Sequence, residues 1–108
     1  MNAHLENETL TPVHSDFSGD PDYLELLNFF VDALPERIAR LREFQESGEF
    51  ESLRELVHQL KGAGGGYGFP GMSEAARELE SACKETNHDL ISERLDQLTE
   101  YMNRIVAN

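Results

Sequence analysis

Tryptophan is missing from this 108-residue chain, and cysteine occurs once, at Cys83. A lone thiol forms no internal disulfide and, without a second sulfur ligand, no thiolate zinc site, so the composition suits a reducing compartment such as the cytoplasm. Basic residues are scarce as well: nine Lys and Arg stand against twenty-one Asp and Glu, a formal net charge of -12. That charge repels nucleic-acid phosphates and anionic lipid, which removes both from the expected partners. No apolar run approaches the roughly 20 residues needed to span a bilayer, and Met1 to His14 has no basic stretch leading into an apolar one. Neither a membrane anchor nor an export signal is expected. Strand signals are nearly absent too, since no segment alternates apolar and polar residues between turn residues.

What the chain does have is helical periodicity, at a length that suits one domain with one modest core. Residues 1–19 hold no Lys or Arg and no sustained apolar period, and read as a flexible or loosely docked acidic arm. Order is expected from residue 20 to 108. Asp20-Pro21-Asp22 combines an N-cap carboxylate, a proline at the first helical position and a first-turn acid. Tyr23, Leu26, Leu27, Phe30, Leu34, Ile38, Leu41 and Phe44 then recur every three or four residues, in phase across Pro35, so one helix kinked near Pro35 is predicted. Gly48 ends it. A second stripe comprises Phe50, Leu53, Leu56, Val57, Leu60 and Tyr67, and a third Met72, Ala75, Ala76, Leu79, Ala82 and Cys83. The third should end near Asn87 in the left-handed conformation, and Asp89 should cap a fourth helix with Ile91, Leu95, Leu98, Met102 and Ile105 inside. Four helices with short connections predict an all-α, antiparallel, up-and-down four-helix bundle.

Chemistry concentrates in Leu56-Val57-His58-Gln59-Leu60-Lys61-Gly62-Ala63-Gly64-Gly65-Gly66-Tyr67-Gly68-Phe69-Pro70. At about 100° per residue, Leu53, Leu56, Val57 and Leu60 share one side of the helix and His58 faces roughly the other way, toward solvent. Gly62 and Gly65 lie on the His58 face and leave the surface beside the imidazole without side chains. Arg54 and Lys61 flank His58 and offer positive charge to a phosphoryl group. A glycine inside a helix costs about 0.8–1 kcal/mol relative to alanine. The run Gly62 to Gly66 therefore leaves two readings open, a helix ending near Gly62 with a glycine loop beyond it, or a helix kept bare for a partner. Glu80, at the edge of the third stripe, reads by periodicity as a solvated boundary glutamate.

His58 with Lys61 and Gly62 at plus three and plus four, Gly68 at plus ten, and Leu79-Glu80 on the next helix resembles the histidine-containing phosphotransfer (HPt) domains of multistep phosphorelays. The resemblance implies that His58 accepts a phosphoryl group on Nε2, that Lys61 assists by charge and that Glu80 hydrogen-bonds Nδ1. It implies a docking surface of Arg54, Gln59, Gly62, Gly65 and Phe69. The partners it implies are a sensor or hybrid histidine kinase and the receiver domains of response regulators. The chain would be a monomeric phosphocarrier without an ATP site and would bind no cofactor. Mg²⁺ would come with the receiver, because Glu51 and Glu55 form no acidic cluster at His58.

Three rival readings are weaker. Gly66-Tyr67-Gly68-Phe69-Pro70-Gly71 formally matches a dinucleotide fingerprint, but the preceding segment is helical where that motif requires a strand. His4, His14, His58 and His88 are scattered, with no metal-binding i, i+4 pair. A pure docking module would have no need for a nucleophile beside a lysine. Cys83, on an apolar stripe, reads as a small buried hydrophobe.

Overall fold

In the computed structural model, which describes residues 11–108, the Asp20 side chain accepts the Asp22 amide at 2.9 Å and Pro21 opens helix α1 (Pro21–Glu46). The helix continues through Pro35. Proline removes one backbone bond, yet Leu27, Phe30, Leu34 and Leu41 are buried on both sides of it, and that shared burial keeps the halves in one helix. The helix ends at Ser47, whose hydroxyl donates to the Glu43 carbonyl at 2.8 Å, and Gly48 turns the chain at φ +73°.

Helices α2 (Phe50–Gly66), α3 (Pro70–Glu85) and α4 (His88–Arg104) follow on short connections and complete an antiparallel four-helix bundle. Each helix packs on two neighbours, α1 on α2 and α4, and α3 on α2 and α4. The core runs along the bundle axis through Leu27, Leu41, Leu53, Val57, Leu60, Met72, Leu79, Ile91, Leu95 and Leu98, all almost fully buried. Each such side chain contributes about 1.5–3 kcal/mol by leaving water, which outweighs the weak intrinsic helicity of segments this short. Arg42 ties α1 to α4 by donating to Asp96 at 2.7 Å and to Thr99 at 2.9 Å.

Two sequence expectations change. The left-handed residue after α3 is Thr86 at φ +55°, and Asn87 caps α4 instead, accepting the Leu90 amide at 3.1 Å. Asp89 therefore sits in the first turn of α4, where its charge favours the positive end of the helix, and is not the cap. The apolar stripe of α1 is also narrower than its spacing suggests, since Leu26 is 52% exposed and Tyr23 37%.

Of the expected arm, residues 1–10 lie outside the described residues. Within residues 11–19, Val13, Ser15, Asp16 and Phe17 contact the α2–α3 turn, the start of α1 and the chain's C-terminal segment. Val13 forms a parallel bridge with Ile105, and Phe17 stacks on Tyr23 at 4.5 Å. No helix among the described residues is long and apolar enough to cross a membrane.

Candidate functional site

The wheel position of His58 carries over into three dimensions: its side chain is 66% exposed on α2 while Leu56, Val57 and Leu60 turn inward. From α3, Glu80 reaches across to it. Glu80 Oε2 lies 2.8 Å from His58 Nδ1, and Oε1 accepts from Lys61 Nζ at 2.7 Å. Glu80 itself is only 4% exposed, which corrects the reading of a solvated boundary residue. Leu79 is fully buried on the same helix turn and carries its neighbour inward.

The hydrogen bond from the Lys61 ammonium holds the Glu80 carboxyl below the usual glutamate range, helped by the bond from His58 and opposed by burial. A carboxylate has only acceptor oxygens, so the 2.8 Å contact requires the Nδ1 proton. In the neutral ring the lone pair then belongs to Nε2. A nucleophilic nitrogen, an ammonium and a buried carboxylate are thus joined across the α2–α3 interface.

The glycine run is helical as far as Gly66. Its members do different work. A Cβ on Gly62 would meet nothing within 4 Å, so this position is open surface. A Cβ on Gly64 would lie 2.6 Å from Ser73 Oγ and 2.8 Å from Ser73 N, so here the missing side chain lets α3 approach. Ser73 Oγ completes that contact by donating to the Lys61 carbonyl at 2.6 Å. Gly65 is near ordinary contact with Ser73 Oγ at 3.7 Å.

Residues 25–108 match the family model of the Hpt domain. The chain belongs to the Hpt domain family. Comparison with curated proteins and with solved structures returned no match. As an Hpt domain it is a histidine phosphotransfer module of phosphorelays, a phosphocarrier.

The other sequence-selected residues of this Hpt domain fall into two groups. Arg54 and Gln59 line a depression of about 510 Å³ together with His58, Glu80 and Lys84. Arg54 is paired with Glu51, and that contact raises the guanidinium pKa and lowers that of the carboxyl. With Lys61 held by Glu80, both expected cations carry carboxylate partners. Lys84, which the wheel of α2 could not reveal, adds a third cation from α3.

Phe69 is the correction. It is fully buried and packs on Phe30 at 5.8 Å, so no partner can touch it. The Phe69 amide donates to the Gly64 carbonyl at 2.7 Å, which folds the α2–α3 turn back under the bundle and takes the ring into the core. Cys83 is buried as expected, and burial raises its thiol pKa.

Sequence reasoning missed the exposed edge of α1. Phe29 is 74% exposed, and with Ala33, Arg37, Gln59 and Ala63 it lines a groove between α1 and α2 of about 220 Å³. A signal was present: Phe29 and Phe30 are adjacent, about 100° apart on the helix, and only one of them can face the core. Among the described residues no three His, Cys, Asp or Glu side chains cluster to hold a metal ion.

Proposed function

We propose that His58 is the phosphoryl acceptor of this Hpt domain, exchanging the group through Nε2 between a sensor or hybrid histidine kinase and the aspartate of response-regulator receiver domains. The contact that carries this reading is the 2.8 Å bond from His58 Nδ1 to the buried Glu80. In transfer from an aspartyl phosphate, the Nε2 lone pair forms the N–P bond as the aspartyl O–P bond breaks, and that electron pair returns to the carboxylate. The ring gains positive charge as it attacks, and Glu80 stabilises that charge at Nδ1. Return transfer runs the same steps backward.

Phosphoryl transfer has a loose transition state in which alignment and charge neutralisation dominate. Lys61 supplies positive charge beside the acceptor, kept in place by its 2.7 Å contact with Glu80. Mg²⁺ enters with the receiver domain, so this chain contributes the nucleophile and its setting and binds no cofactor itself. The docking face is formed by Arg54, Gln59, Gly62 and Gly65 around His58, extended by Phe29 on α1 in place of Phe69. The chain works as a monomer in the cytoplasm, where its buried thiol stays reduced.

The test is incubation with a receiver domain carrying radiolabelled phosphate. Wild type takes up label that is lost in acid and kept in base, and His58→Gln takes up none. Wild type that stays unlabelled against its cognate receiver sinks the proposal.

A further inference from the structure

The family match begins at residue 25, yet the chain before it makes specific contacts. Ser15, 5% exposed, donates from Oγ to the Tyr67 carbonyl at 2.6 Å, and the Asp16 amide donates to the Gly68 carbonyl at 2.8 Å. These are the first two carbonyls beyond the glycine-rich end of α2. Ser15 Oγ also accepts the Phe17 amide at 2.9 Å, which folds the segment around the turn. Gly68, at φ +82°, makes room for it: a Cβ there would lie 2.4 Å from Ser15 Oγ and 3.0 Å from Asp16 N.

The other end of the segment is tied to the end of α4. Val13 N donates to the Arg104 carbonyl at 2.7 Å, and Val106 N donates to the Val13 carbonyl at 3.0 Å. His14 Nδ1 contacts the Asn108 carbonyl at 2.6 Å.

We infer that Val13 to Phe17 is a strap that holds the glycine-rich last turns of α2 in helical form, with Ser15 as its positioning residue. Glycines at 62, 64, 65 and 66 leave those turns with the weakest intrinsic helicity in the bundle. Ser73 on α3 secures one side of them, and the strap secures the α2–α3 turn against the C-terminal segment. Gly68 then has a role separate from phosphate chemistry, as the seat of the strap. The functional consequence rests on the phosphotransfer reading: the strap keeps the bare surface beside His58 ordered for a partner.

The test compares full-length wild type, Ser15→Ala and Val13→Pro by amide hydrogen exchange. Val13→Pro removes a donor at the far end of the strap, away from the α2–α3 turn, so any change near Gly64 must travel along the segment. Both variants should raise exchange at Gly64 to Phe69 by about five- to ten-fold, the equivalent of one lost hydrogen bond, and leave the centre of α4 as in wild type. Wild-type exchange at Gly64 to Phe69 in either variant, or a rise spread evenly over all four helices, overturns the strap. In parallel, labelling of His58 by phosphoramidate should be unchanged, because none of the strap's hydrogen bonds involves His58, Lys61 or Glu80. Labelling lost in the variants alone also overturns it. Labelling absent from wild type counts against His58 as acceptor and leaves the exchange result standing.

Discussion

Glu80 Oε2 sits 2.8 Å from His58 Nδ1 although the two residues are 22 positions apart and on different helices. Replacing Glu80 with Ala removes the acceptor and leaves half-buried Lys61 without its partner. Transfer from a phosphorylated receiver should slow about ten-fold, the rate equivalent of about 1.4 kcal/mol from one charge-assisted hydrogen bond, and should not be abolished because the nucleophile remains. Rapid-quench measurement of label transfer decides it, and a wild-type rate would show that Glu80 has no part in transfer.

The same carboxylate gives the fold an acid-sensitive element. The Lys61 hydrogen bond lowers the folded pKa of Glu80 below its ordinary 4.5. A depressed carboxylate stabilises the folded state fully above the unfolded value and loses that contribution as pH falls through the folded one. Urea melts from about pH 6 down to about pH 3 should therefore show a shallower decline in stability for Glu80→Gln, which cannot titrate, than for wild type. Parallel curves for the two proteins would contradict this.

Gly62 and Gly64 should respond in opposite senses. Gly62→Gln places a better helix former where nothing lies within 4 Å, so the bundle should gain up to about 1 kcal/mol while transfer to the receiver slows, a long side chain now standing beside His58. Gly64→Ala drives a methyl against Ser73 and should lose about 1–3 kcal/mol. Denaturant melts paired with transfer rates separate the two, and normal transfer by a stabilised Gly62→Gln would remove the open-surface argument.

Phe29 is exposed in the free protein, so Phe29→Ser should change stability by less than about 0.5 kcal/mol. Binding of the receiver should weaken about ten-fold if this ring is an interface anchor. Titration calorimetry measures the loss, with phosphoramidate labelling of His58 unchanged. Unaltered affinity would place the docking face elsewhere.

Much of the bundle was legible in the sequence because its signals are local. Asp20 and Pro21 act within one turn of α1, and the stripes through Leu53, Leu56, Val57 and Leu60 or Leu95, Leu98 and Met102 follow from one angle per residue. His58 faces solvent for the same reason. Boundaries were less legible where two caps compete. Thr86 takes the left-handed position and leaves Asn87 free to cap α4, a choice that depends on how the α3–α4 turn closes.

By itself, then, the sequence determined four helices and an outward histidine with glycines following it. Only the tertiary structure decided that Glu80 is buried between His58 and Lys61, that Phe69 belongs to the core, that Gly64 is a packing contact while Gly62 is open, and that Ser15 reaches Tyr67. The physical reason is common to all four. Periodicity gives the angle of a side chain about its own helix, whereas burial, pairing and clash depend on which distant segment packs against that angle, and that is set by closing the whole core at once.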